Sequence, residues 1–109
     1  MLEQSFVHEN LQIDWATMTV RNNGRIIDLS PTEFRLLSVL FERRGWVIGH
    51  DELVHRVWGP NAVGYKDNLK LYVWYLRRKI EEDPSDPKLI VTRHGLGYMF
   101  ARMAAPSRP

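Results

Sequence analysis

The sequence predicts an α+β domain, and three observations carry that reading. The first thirty residues alternate apolar and polar over short stretches, the period of half-buried strands. Three amphipathic helical segments follow. The chain then closes on a strand, a glycine turn and a second strand. At 109 residues there is room for one domain and one core.

Each element has its own signal. Phe6-Val7-His8 leads to Leu11-Gln12-Ile13-Asp14-Trp15, which alternates apolar and polar. Met18-Thr19-Val20 runs into Asn23-Gly24, a pair that tolerates positive φ at both central positions of a hairpin turn. Arg25 to Leu29 is the return strand, so the N-terminal segment makes a small antiparallel sheet. Ser30-Pro31-Thr32-Glu33 starts the first helix, with Ser30 as cap, Pro31 in the first turn and Glu33 completing a capping box. Phe34, Leu37, Leu40 and Phe41 form its apolar stripe. Arg43 and Arg44 are expected in its last turn, with Gly45 as the left-handed stop. Trp46-Val47-Ile48 is a short extended link. A second helix spans about 50–58, with Leu53, Val54 and Val57 inward and Gly49 as a fair cap. The glycine- and proline-rich stretch 59–64 breaks it. The third helix covers about 67–81 and ends before Asp83-Pro84-Ser85-Asp86-Pro87. Leu89 to Thr92 and Tyr98 to Phe100 are strands flanking Gly95-Leu96-Gly97, read as a tight turn. Residues 1–5 and 101–109 are expected to be flexible ends around a domain at 6–100.

Charge is distributed unevenly. The net charge is only +2, yet the isoelectric point is about 9.2. Lys66, Lys70, Arg77, Arg78 and Lys79 cluster within residues 66–79, with Asp67 against them. Glu81, Glu82, Asp83 and Asp86 then reverse the sign. Such asymmetry suits one face for a polyanion. On the third helix, Leu69, Val73, Leu76 and Ile80 form a narrow inward stripe. Lys70, Leu71, Trp74 and Arg78 lie opposite, with Arg77 on the flank. A core-facing helix ordinarily offers water a mixture of acids and bases; this one offers cations and aromatics. Thr92-Arg93-His94-Gly95 adds a basic hairpin. A basic helix followed by a basic hairpin suits entry into a DNA groove with a grip on flanking phosphates.

Other chemistry finds little support. With no cysteine, disulfides, thiolate catalysis and cysteine-based zinc sites are excluded. His50 and His55 are five apart with Glu52 misplaced, so they do not make a zinc-hydrolase helix. The serines have no adjacent base, and Gly95-Leu96-Gly97 is too short for a nucleotide loop. Neither an enzyme nor a cofactor is expected. No apolar run approaches the roughly 20 residues needed to span a bilayer. No signal peptide is visible, and a cytoplasmic location is expected.

Four segments in order carry a resemblance: Leu29-Ser30-Pro31-Thr32-Glu33-Phe34-Arg35-Leu36-Leu37, Glu52-Leu53-Val54 through Val57-Trp58-Gly59, Leu76-Arg77-Arg78-Lys79-Ile80, and Gly95-Leu96-Gly97-Tyr98-Met99-Phe100. Over roughly residues 6–100 the chain resembles the DNA-binding effector domain of OmpR/PhoB-type response regulators. That is a winged helix-turn-helix with a four-stranded antiparallel sheet, three helices and a C-terminal β-hairpin wing. Trp58-Gly59-Pro60-Asn61-Ala62-Val63 and Leu69-Lys70-Leu71-Tyr72 look most like the KdpE branch.

The resemblance implies sequence-specific binding of double-stranded DNA as the output domain of a two-component transcriptional regulator. The third helix would enter the major groove and the wing would reach toward the minor groove. It also implies RNA polymerase as a partner of the 59–66 loop and a receiver domain in the full-length protein. The isolated domain would be a monomer that dimerises on DNA. Relatives often carry arginines at the positions of Trp74, Tyr75 and His94, so this chain departs from them where DNA is touched.

The expected DNA-binding residues are Lys66, Asn68, Lys70, Leu71, Trp74, Tyr75, Arg77, Arg78, Arg93 and His94. Several have a plainer reading. Arg78 and Lys79 would otherwise pair with Glu81, Glu82 or Asp83. Asn68 contacts DNA or helps cap its helix. Leu71 meets a thymine methyl or is simply exposed. Trp74 packs on DNA, folds over its own helix or joins a protein interface. Tyr75 bonds a phosphate or is partly packed. Trp15, Trp46 and Trp58 are expected to be packing residues. The competing function is a winged-helix protein-interaction module using Leu71 and Trp74 as an apolar hot spot.

Overall fold

A computed structural model describes residues 5–62 and 64–102. Of the ends expected to be flexible, 1–5 and 101–109, residues 1–4 and 103–109 lie outside the described residues, and Ser5 belongs to the first strand. Strand β1 (Ser5–His8) opens the fold, followed by β2 (Leu11–Asp14), β3 (Thr19–Asn22) and β4 (Arg25–Ile27). Helix α1 (Pro31–Glu42), strand β5 (Ile48–Gly49), and helices α2 (His50–Trp58) and α3 (Lys66–Ile80) come next. Strands β6 (Ile90–Arg93) and β7 (Gly97–Phe100) complete the order. The first four strands form one antiparallel sheet in sequence order, and β5-β7-β6 form a second.

The local signals are realised where they are local. Asn23 and Gly24 both take positive φ, at 56° and 78°, as a two-residue hairpin of the primed type requires. Ser30 caps α1: its Oγ accepts the Glu33 N–H at 3.1 Å, while Glu33 Oε1 accepts the Ser30 N–H at 2.8 Å. Gly45 takes φ +88°, a conformation glycine adopts without steric cost. Helix α1 nevertheless ends at Glu42, two residues earlier than read. Arg43 is its C-cap rather than a last-turn residue. Arg43 pairs with Glu52 on α2 at 2.9 Å, and Arg44 lies over the Phe41 ring.

The core is assembled from all layers. Leu36, Leu37, Leu40, Leu53, Leu69, Leu76, Ile90 and Phe100 are fully buried. Phe6, Phe41 and Phe100 make edge-on contacts that clamp the first sheet to α1 and β7. The stripe Leu69, Val73, Leu76 and Ile80 holds α3 against this core, leaving its opposite face to solvent. Past residue 100, the Ala101 N–H donates to the Leu89 carbonyl at 2.7 Å.

Trp46 departs from expectation. It is 72% exposed, with Val47 beside it at 40%. The link reaches the sheet only at Ile48, which pairs with Tyr98, so Trp46 precedes the pairing that would draw it in.

Two charged groups act as tertiary clasps. Lys79 Nζ reaches back to Glu33 Oε1 at 2.8 Å and to the Asp28 carbonyl at 2.9 Å. Glu33 is 4% exposed, so its carboxylate closes the capping box and also tethers the end of α3. Neither Lys79 nor Arg78 pairs with the acidic segment after the helix. Lys79→Ala leaves the Glu33 carboxylate short of its cation. It should lower unfolding free energy by about 1–2 kcal/mol, read from urea denaturation.

Candidate nucleic-acid interface

The outer face of α3 exposes cations and aromatics together. The N-cap is Tyr65, which makes no side-chain cap bond, and Asp67 is the acid of the first turn. Asn68 is exposed and does not cap the helix. Lys66, Asn68, Lys70 and Arg78 all face solvent, and none forms an ion pair among the described residues. Leu71 and Trp74 are 44% and 49% exposed. They lie between the cations because residues three and four apart share one side of a helix. Asp67, the one acid expected on this helix, falls on the same side.

Trp74 folds along its own helix. The Arg78 guanidinium carbon lies 4.7 Å from the Trp74 ring centroid, and the Trp74 ring is tilted against Tyr75 at 5.7 Å. Tyr75 meets Tyr72 edge-on at 5.3 Å, and Tyr72 meets Trp58 of α2 at 5.5 Å. Tyr65 joins the same column at 5.6 Å from Trp58. Tyr75 is thus partly packed.

The hairpin after α3 is joined to the helix by Arg77. Arg77 Nε donates to the Ile90 carbonyl at 3.0 Å. Its Nη2 donates to the same carbonyl at 2.7 Å and to Thr92 Oγ1 at 2.8 Å. The guanidinium also lies over the Tyr98 ring at 5.8 Å. Burial lowers its pKa from the ordinary value, while Tyr98 and Glu81 act in the opposite sense. Burial raises the Tyr98 phenol, with Arg77 opposing. Of the basic residues read as DNA contacts, Arg77 is the one turned inward, with its donors committed to β6.

Arg93 closes β6 opposite Gly97. His94 and Gly95 occupy the turn, which is closed by the Leu96 N–H donating to the Arg93 carbonyl at 2.9 Å. Gly95 takes φ +78°. Arg93 and His94 are exposed. Leu96, also absent from the expected residues, is 63% exposed at the tip. His94 lies beyond β6, in the turn, so strand alternation does not set the direction of its side chain. Among the described residues, no group of three or more His, Asp or Glu is placed to hold a metal ion. No helix among them is long and apolar enough to cross a membrane.

Three helices, a four-stranded antiparallel sheet and a terminal hairpin beside an outward basic helix define a winged helix-turn-helix domain. The family model described as "Transcriptional regulatory protein, C terminal" matches residues 23–100. The chain belongs to this family and is an OmpR/PhoB-type, KdpE-like effector domain. It is 39% identical over 100 residues to the transcriptional regulatory protein KdpE of Mycobacterium tuberculosis, covering 91% of this chain and 44% of that protein. The chain therefore spans less than half the length of that relative. Among solved structures, the response regulator DrrB of Thermotoga maritima, an OmpR/PhoB homologue, superposes with a TM-score of 0.83. Identity there is 31%, over 92% of this chain and 45% of that one. The Klebsiella pneumoniae RstA DNA-binding domain, solved in complex with the RstA box, gives a TM-score of 0.78. Its identity is 25%, over 91% of this chain and 98% of that one.

Proposed function

We propose that this domain binds double-stranded DNA sequence-specifically, with α3 in the major groove and the β6–β7 wing reaching toward the minor groove. The observation that carries this is the outward face of α3. Lys66, Lys70, Leu71, Trp74 and Arg78 are exposed there, while the helix's other face is committed to the core. The RstA domain solved on its box supports the reading by its likeness in fold and length. Lys66, Arg93 and His94 are assigned to phosphates and the wing's groove. Lys70, Leu71 and Arg78 are assigned to the base edges, Trp74 to the same groove-facing ridge, and Asn68 to a base or phosphate. Arg77 fixes the angle between helix and wing rather than touching DNA itself. Tyr75 supports Trp74.

The domain would serve as the output half of a two-component regulator carrying a receiver domain. It would be monomeric alone, dimeric on DNA, and cytoplasmic. The 59–66 loop would be available to RNA polymerase. The competing reading, a protein-interaction module centred on Leu71 and Trp74, loses ground because a guanidinium covers one face of the Trp74 ring. A dry apolar hot spot would have to desolvate that charge.

Selection of duplexes from a randomised pool tests the proposal. A defined consensus is expected. Lys70→Ala should cost about 1–3 kcal/mol on it and relax preference at one or two positions. Arg93→Ala should lose more affinity than His94→Ala, because a long, permanently charged side chain reaches a narrow groove better. Recovery of no consensus would overturn sequence-specific binding.

A further inference from the structure

Trp74 occupies a position on the groove-facing ridge where a reading helix would ordinarily present a hydrogen-bonding group, yet it brings a donor to that place indirectly. Long side chains on a helix lean toward its N-terminus. Arg78 does so, and its guanidinium carbon sits 4.7 Å from the Trp74 ring centroid, one turn before its own backbone. The shelf beneath it is braced, because Trp74 rests on Tyr75, Tyr75 on Tyr72, and Tyr72 on Trp58 of α2. No acidic side chain engages Arg78 among the described residues. An exposed cation–ring pair adds little to stability, so the fold gives no reason for this arrangement.

Stacking does have a consequence for recognition. A guanidinium lying on a ring keeps its five N–H groups in its own plane, free for a planar acceptor. The ring contact also biases the side chain toward one placement before any ligand arrives, which reduces the entropy lost on binding. Among major-groove edges, guanine presents two adjacent acceptors, O6 and N7, to which arginine binds with both arms. Phosphate contact needs no such pre-setting.

We infer that Trp74 is a positioning residue that holds Arg78 as the donor fork for a guanine in the major groove. This rests on the DNA-binding reading above. The probe is the duplex recovered from the randomised pool, with each guanine replaced in turn by 7-deazaguanine, which lacks the N7 acceptor. For the wild-type domain, one replacement should weaken binding at least about fivefold, the low end of what a bidentate arginine–guanine pair discriminates. Arg78→Ala should abolish that sensitivity. Trp74→Ala should reduce it with Arg78 still present, and Trp74→Phe, which retains a ring, should restore most of it. Unchanged thermal unfolding of these variants would confirm that the fold is not the cause. Equal weakening of all duplexes by Arg78→Ala, with no guanine singled out, would make Arg78 a phosphate contact and overturn the inference. So would full sensitivity in Trp74→Ala. Absence of wild-type binding to any duplex would overturn the DNA-binding reading as well, whereas the first two results leave that reading standing.

Discussion

Gly97→Ala is expected to destabilise the domain by at least about 3 kcal/mol, the upper part of the range for overpacking. A Cβ at Gly97 would overlap the Ile48 carbonyl oxygen. It would also stand 2.8 Å from the Ile48 carbonyl carbon and 2.9 Å from the Gly49 Cα. All three are backbone atoms, so no side-chain rotation relieves the clash. β5 would have to move off β7, losing the Ile48–Tyr98 and Gly49–Gly97 pairings that hold the wing's base to the start of α2. For a domain of about this size, the melting temperature should fall by more than about 10 °C. Gly95→Ala is the matched control. Its site has open space around it and only a positive φ to satisfy, a cost of about 1–2 kcal/mol. Equal melting temperatures for the two variants would contradict the steric account.

Glu81→Ala should cost about 3 kcal/mol or more. Glu81 is the C-cap of α3 and is 6% exposed. Its carboxylate accepts the backbone N–H groups of Lys88 at 2.8 Å, Leu89 at 3.0 Å and Ile90 at 2.8 Å. Removing it strands three donors, those of the buried Leu89 and Ile90 among them, at about 1–3 kcal/mol each when no substitute acceptor is found. Glu81→Gln keeps one acceptor oxygen but turns an NH2 group toward the same donors, so an intermediate loss is expected. Guanidinium denaturation measures both. A change within about 0.5 kcal/mol for Glu81→Ala would show that water or the relaxed backbone replaces the carboxylate.

These two residues also mark where sequence reading succeeds and where it stops. The Asn23-Gly24 turn, the Ser30–Glu33 capping box and the α3 stripe were legible because each depends on residues within a turn or two of one another. Gly97 was read only as part of a tight turn. Its real constraint is the approach of β5, some fifty residues earlier in the chain. Glu81 was read as a counter-charge for Arg78 or Lys79, but it serves the backbone of β6. Lys79 and Arg77 were both read from their charge and helix position. Their partners, Glu33 and the Ile90 carbonyl, lie 46 and 13 residues away, and spacing along the chain does not reveal such pairs. Trp46 was assigned to packing by residue type alone, and it lies on the surface. The outward cations of α3 were legible because the apolar stripe fixes which side remains. What the pattern did not show is that the Arg78 guanidinium lies over the Trp74 ring.

The most direct measurement of the central claim is duplex affinity as a function of salt concentration. After the inward-turned Arg77 and the Glu33-bound Lys79 are set aside, Lys66, Lys70, Arg78 and Arg93 remain as exposed cations of α3 and the wing. If about four such contacts displace counterions, log K should fall linearly with log salt at a slope near −3.6, from about −0.9 per contact. A slope near zero, with affinity retained at high salt, would contradict DNA binding by this face and favour an apolar protein interface instead.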